Sequence, residues 1–408
     1  MRTQPSVFVL DSCNQPNGYE LGNYEWIIGV GVLEQKELCH SDQIHALHAS
    51  QFSVPGKWNF FVAAYDLKNA FHPLRSENVD VLDWPLYTVV VPEHVITLTR
   101  NGQLEIFSEQ KEELLKLINQ TADANDMPCE VSFNTAVSSL TQTEHHNKVE
   151  YIKQQIAEGN LYEMNLCMET VLMDFTCSNG LDLYRRLVEL SPTPFSSFVR
   201  LNEKHLVCAS PERFMSSDGE RIYSQPIKGT SKRYRDSEED RMSRMHLANS
   251  LKERAEHIMI VDLVRNDLSK VSEPGTVRVD ELFGIYGYRQ VNQMISTISG
   301  QLGPGLGFFE ALKATYPMGS MTGAPKHITM EFIDDIETAS RGWYSGSVGY
   351  IKPNGEFDSN VVIRSLMYDD VKKVAKYAVG GAITFDSDPN AEYDECLLKS
   401  KAIRELLN

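Results

Sequence analysis

Two short stretches constrain this chain more than its composition does. In "SSDGE" (216–220) an Asp-Gly pair sits between β-like runs, and in "IKPNGEF" (351–357) Pro353-Asn354-Gly355 does the same. Both are tight-turn signals, so each doubles a strand back on itself. The first hairpin leads into "RIYSQPIKGT" (221–230) and sets Lys228 at the end of a strand. The second lies within "RGWYSGSVGYIKPNGEFDSNVVIRSLMYD" (341–369) and is expected to put Tyr344 and Arg364 on paired strands. An arginine among apolar strand residues is costly unless paired, and its fork suits a carboxylate of protein or ligand.

Around the hairpins, β-like runs alternate with helical ones. Residues 1 to about 135 hold the runs "EWIIGVGVL" (25–33), "KWNFFVAAY" (57–65) and "LYTVVVPEHVITLTR" (86–100), and a helix over "QKEELLKLINQT" (110–121). The polar segment 138–150 reads as a junction, giving an N-terminal part over 1–140 and a second over 145–408. The second part opens with a helix over 146–160, with Val149, Ile152 and Ile156 at helical spacing and Gly159 as a stop. A strand over 161–173, a helix over 180–191 and strands over 195–201 and 205–210 follow. One long helix is expected over 236–268, with Met245, Ala248, Leu251, Ala255, Ile258 and Met259 as its apolar stripe.

Composition excludes several classes of function. The formal charge of −17, from 56 acidic and 39 basic residues, repels phosphate backbones and anionic lipid over a Debye length of about 8 Å. Neither nucleic acid nor a membrane surface is an expected partner, and a small anionic substrate would need local cations. No apolar run approaches the roughly 20 residues of a bilayer span, and "VFVL" near the start is too short for a secretory signal. A cytoplasmic protein is expected. The seven scattered cysteines have no C-x-x-C pair and read as reduced thiols.

Two pairs of glutamates stand out. Glu253 and Glu256 lie three residues apart on the helix of 236–268. Glu392 and Glu395 repeat the spacing on a helix with Asp388 as N-cap and Pro389 at N1, and Lys399 lies four residues beyond Glu395. If the helices converge, four carboxylates make a site for a hard divalent cation; if not, they are solvated faces. Gly380-Gly381 interrupts a strand, which marks either a bulge or a close backbone approach to an anion.

Taken in order, "SPERF" (210–214), "PIKGT" (226–230), "KERAEHIMIVDLVRNDL" (252–268), "GSMTGAPK" (319–326), "YSGSVGYI" (344–351), "VVIRS" (361–365), "VGGAI" (379–383) and "AEYDECLLKSKA" (391–402) resemble the chorismate-utilising enzymes. That family includes anthranilate synthase component I, aminodeoxychorismate synthase component I, isochorismate synthase and salicylate synthase. The resemblance covers nearly two thirds of the chain. It implies a large α/β (α+β) fold of two packed antiparallel sheets flanked by helices, holding chorismate and Mg²⁺ in a cleft. By motif, Glu256 and Glu395 would be the principal Mg²⁺ ligands, with Glu253 and Glu392 on its waters. Arg364 and Tyr344, with the Gly381 backbone, would hold the pyruvyl carboxylate. Lys399 and Thr230 would lie near the substrate.

Within the family, "PIKGT" resembles the aminodeoxychorismate synthases, where anthranilate synthases usually carry alanine in place of Lys228. The resemblance then implies that the Lys228 amine attacks C2 of chorismate, Glu212 protonates the departing C4 hydroxyl, and ammonia opens the adduct at C4. Such a lysine needs a depressed pKa, supplied by burial or a neighbouring cation. The chain departs from the family pattern twice: Glu163 stands where aminating members usually have glutamine, and Gln293 where many have histidine. No G-x-C-x-G motif is present, so ammonia would come from a partner glutamine amidotransferase, and a separate lyase would complete 4-aminobenzoate. Two alternatives stay open: anthranilate synthase component I, and a chorismate-binding protein without turnover.

Overall fold

Every pairing between strands of this computed structural model is antiparallel, as the two hairpins require. The structure describes residues 4–16, 24–39, 48–120, 129–289 and 291–408. Among the described residues two large sheets have eleven and ten strands, and a small third sheet pairs Val131–Ser132 with Thr176–Cys177. The first is ordered Gly323–Ala324, Glu163–Met173, Val374–Ile383, Ser365–Asp369, Lys204–Ser210, Phe195–Leu201, Ser6–Asp11, Tyr24–Val30, His94–Thr99, Leu104–Phe107, with Thr135–Ser138 also on Glu163–Met173. The second is ordered Ile227–Lys232, Val291–Gln301, Arg221–Gln225, Arg213–Ser217, Phe357–Asn360, Ser347–Ile351, Asn59–Ala63, Tyr87–Val91, Glu34–Leu38, with Arg278–Gly287 also on Val291–Gln301. Helices flank them, and among the described residues none is long and apolar enough to cross a membrane.

The run 86–100 is two strands rather than one. Pro92, without an N–H to donate, ends Tyr87–Val91 in the second sheet, and His94–Thr99 continues in the first. Residues on either side of the 138–150 segment share both sheets: Ser6–Asp11 pairs with Phe195–Leu201, and Asn59–Ala63 with Ser347–Ile351. The main core cluster draws on both, with the Phe8 and Phe60 rings 5.4 Å apart. A Cβ on Gly29 would come within 2.9 Å of the Phe60 ring, so the close approach there needs glycine.

Four helical and strand expectations need correction. The first helix of the second part begins at Gln142, because Thr141 and Glu144 form a capping box inside the segment read as a junction. The helix expected over 236–268 is two, Ser237–Asn249 and Leu251–Ser269, broken where Ser250 turns out of helical geometry and caps the second by accepting from the Glu253 N–H. The expected stripe is not the buried face: Met245, Leu251 and Ile258 are exposed, while Leu247, His257, Ile260, Val261, Val264 and Leu268 are buried. Lastly, the hairpin at 353–355 pairs Ser347–Ile351 with Phe357–Asn360, leaving Tyr344 and Arg364 outside it. Instead, Ser345 N–H donates to the Val362 carbonyl and Val362 N–H to that of Gly346, so the two segments still run side by side.

Candidate active site

Lys228 lies within the strand Ile227–Lys232, past Pro226, which ends the strand Arg221–Gln225. Its ammonium donates to Glu163 Oε1 at 2.6 Å, the two side chains being 14% and 5% exposed. Burial works to lower the Lys228 pKa, but the charge and hydrogen bond of Glu163, with Glu256 and Glu212 beyond, outweigh it, and the pKa is raised. The expected depression is therefore not what this structure has, and Glu163 is the reason.

The backbone at Lys228 is clamped. His257 Nδ1 bonds the Lys228 carbonyl at 3.2 Å and its Nε2 meets Ser296 Oγ at 2.7 Å. Burial pushes His257 down to about 4, so at neutral pH the uncharged ring donates from Nδ1 and accepts at Nε2. Next along, Gly229 has φ +84° and an added Cβ would stand 2.9 Å from Glu253 Oε2. Glycine at that position lets the strand pass against the helix Leu251–Ser269.

Glu212 follows the strand Lys204–Ser210, with its N–H donating to Ser210 Oγ and its carbonyl accepting from Val361. Burial pushes its carboxyl up to about 7 against hydrogen bonds from Ser320 and the Ile227 N–H and the charge of Lys228. The structure thus brings Glu212 and Lys228 to one place, with a carboxyl able to hold a proton near neutrality. The Ser320 loop is pinned by Lys326, whose buried ammonium donates to Asp267 and, at 2.7 Å each, to the carbonyls of Thr315 and Pro317.

The glutamate helices converge: Glu253 is pushed up by burial and in part by the charge of Glu395, and Lys252 acts across the gap on Glu392 and Glu395. Burial pushes Glu256 up to about 7 and also raises Glu392. Burial works upward on Glu395 too, but Lys399, 2.6 Å away, brings it below the usual range. Lys399 also donates to the Gly380 carbonyl at 2.7 Å, and a Cβ on Gly381 would stand 3.1 Å from Glu392 Oε2. Among the described residues no three His, Cys, Asp or Glu side chains gather into a group that could hold a metal ion. The two carboxylate pairs thus face one another without closing into a preformed cage; a cation such as Mg²⁺, which keeps most of its water, asks for few protein carboxylates.

Arg364 takes φ +51° and is partly buried. Burial lowers its pKa, Tyr288 alone opposing, and among the described residues no side chain bonds or pairs with its guanidinium. Tyr344 is buried with its hydroxyl on the Cys167 thiol, and Cys167 lies opposite Gly380 in the sheet. Thr230 is exposed and paired with Gln293, whose Oε1 is buried without a partner. Sequence reasoning missed His257, Ser320 and Lys326 as supports of the site. The last two stand in the quoted stretch "GSMTGAPK", where a lysine after proline at a helix start was the available signal.

The match to chorismate binding enzymes runs over residues 15–405. Aminodeoxychorismate synthase component 1 of Klebsiella aerogenes is 35% identical over 83% of this chain and 74% of its own length. Anthranilate synthase component 1 of Aquifex aeolicus is 31% identical over 87% and 75%. The chloroplastic aminodeoxychorismate synthase of Arabidopsis thaliana is 36% identical over 80% of this chain. The chain spans only about a third of the plant relatives it matches, 32% of one from rice and 36% of that from Arabidopsis. Among solved structures, anthranilate synthase component I from Streptococcus pneumoniae superposes with a TM-score of 0.77 at 23% identity, over 95% of this chain and 93% of its own, which shares the fold. With the motif residues gathered on that fold and the family match spanning nearly all of it, the chain belongs to the chorismate binding enzymes.

Proposed function

We propose that the chain is an aminodeoxychorismate synthase component I, joining ammonia to chorismate to give 4-amino-4-deoxychorismate. The observation that carries this reading is Lys228 set beside Glu212, a buried carboxyl pushed up to about 7. Relatives bearing that name, at 35% to 37% identity, support it. Lys228 attacks ring C2, Glu212 gives its proton to the C4 hydroxyl, which leaves as water, and ammonia then attacks C4 and frees the lysine. Arg364, on which no described residue places a carboxylate, takes the pyruvyl carboxylate. Glu256 and Glu395, backed by Glu253 and Glu392, would hold Mg²⁺, which would supply positive charge for the ring carboxylate. Glu256→Gln should then remove Mg²⁺-dependent turnover while leaving the thermal melt near wild type. A variant with an unaltered Mg²⁺ titration would show that the glutamates are only a solvated cluster.

Anthranilate synthase relatives match comparable shares of the chain, so product identity is the deciding experiment. Purified protein with chorismate, Mg²⁺ and an ammonium salt should yield aminodeoxychorismate; anthranilate, or no product, would overturn the reading. With glutamine as the only nitrogen source the chain should be inert until a glutamine amidotransferase is added.

A further inference from the structure

The reaction above needs the lone pair of Lys228, and the structure holds that nitrogen as an ammonium. Among the described residues the only hydrogen-bond acceptor on it is Glu163 Oε1, at 2.6 Å. Other charged groups face it from the neighbouring elements: Glu212 from the segment after Lys204–Ser210 and Glu256 from the helix Leu251–Ser269, with Glu253, Glu395 and the uncharged His257 farther off. None of these is in hydrogen-bond contact with the amine. We propose that Glu163 is the proton acceptor that converts Lys228 into a nucleophile and the proton donor that restores its ammonium when the adduct is released.

The Glu163 role rests on the proposed reaction. The Lys228 ammonium passes one proton to Glu163, giving a neutral amine and a carboxylic acid. The amine's electron pair forms the N–C2 bond, the ring double bond shifts, and the C4–O bond breaks. Glu212 supplies a proton to that oxygen, releasing water and leaving Glu212 as carboxylate. The adduct nitrogen, now bonded to C2, is a secondary ammonium beside the now neutral Glu163, whose carbonyl oxygen can still accept its hydrogen bond. Attack by ammonia at C4 returns the electron pair to nitrogen and expels the lysine as a neutral amine, which recovers its proton from Glu163. Strand geometry supports a dedicated placement: Glu163 opens the strand Glu163–Met173, paired there with Ala324, and is nearly fully buried among described residues.

Glu163→Gln preserves size and a hydrogen-bond acceptor but cannot take a proton. In that variant, with chorismate, Mg²⁺ and ammonium salt, kcat at pH 7 should fall by about tenfold to a hundredfold while KM stays within about twofold. Because the proton must now leave to solvent, the wild-type to variant ratio should shrink as pH rises, and Glu163→Asp should recover part of the loss. Trace labelling of Lys228 with acetic anhydride, read by peptide mass without any turnover, should show its ionisation moving to lower pH in Glu163→Gln. Equal turnover of wild type and Glu163→Gln at pH 7, a pH-independent ratio, or an unmoved labelling midpoint would overturn the proposal while leaving the site reading intact. Full turnover of Lys228→Ala would instead sink the reaction itself.

Discussion

Lys228 and Lys326 are sunk to similar depth, their side chains 14% and 10% exposed, yet their surroundings differ in kind. Lys326 gives its three N–H groups to Asp267 and to two backbone carbonyls. Lys228 has one acceptor among the described residues, leaving two donor directions open. Burial lowers Lys326, Asp267 only partly opposing, whereas at Lys228 the glutamates win and the pKa is raised. Burial alone therefore does not separate a structural lysine from a reactive one. The count of satisfied donors does: a saturated ammonium ties a loop in place, and an unsaturated one faces a site.

The contrast can be broken most sharply at Lys228, the proposed nucleophile. Lys228→Ala should lose on the order of a thousandfold or more in ammonia-dependent turnover, with an unfolding midpoint shifted little, and its chorismate binding retained by calorimetry. The converse holds for its counterpart. Lys326→Ala leaves Asp267 with Lys270 alone, 3.0 Å away, and should cost about 3 to 5 kcal/mol in denaturant unfolding, with smaller losses in kcat per folded molecule.

A third test sharpens the electrostatic side. The Glu212 pKa lies above its unfolded value, at about 7 against 4.5, so folding holds its proton, stability is full below about pH 4.5, and it falls as pH rises through 7. Glu212→Gln should thus unfold like wild type at pH 4 and be more stable at pH 8, by about 3 kcal/mol at most, while turnover is lost. Wild-type turnover should itself decline above pH 7 as the acid ionises. The smallest effect is expected at Arg364, a cation to which no described side chain offers a hydrogen-bond acceptor or a carboxylate. Arg364→Lys keeps the charge but not the bidentate fork, and should raise KM about tenfold with little change in melt.

What the residues reveal in advance is uneven, and for physical reasons. Turns are written locally, so Asp218-Gly219 and Pro353-Asn354-Gly355 give both hairpins. Pro92 is equally visible as a strand break, but which sheet each half joins depends on partners far along the chain. The Ser250 break carries its own signal, serine three residues before Glu253, obscured by apolar residues on several faces of 236–268; with His257 buried and Leu251 exposed, hydrophobicity alone misplaces the stripe. At the site, spacing supplied both glutamate pairs. The Lys228 and Glu163 pairing was not legible, because 65 residues and two different sheets separate them.

The interleaving of the two sheets has a consequence for any attempt to shorten the protein. Cutting before the helix Gln142–Ala157 would strip Ser6–Asp11 from Phe195–Leu201 and Asn59–Ala63 from Ser347–Ile351. Each sheet would then end in a naked edge, "FSSFVRL" with one charge and "SVGYI" with none. Such edges are templates for stacking chain upon chain. The strands contributed by the first 140 residues thus act as gatekeepers of solubility for the half that carries Lys228.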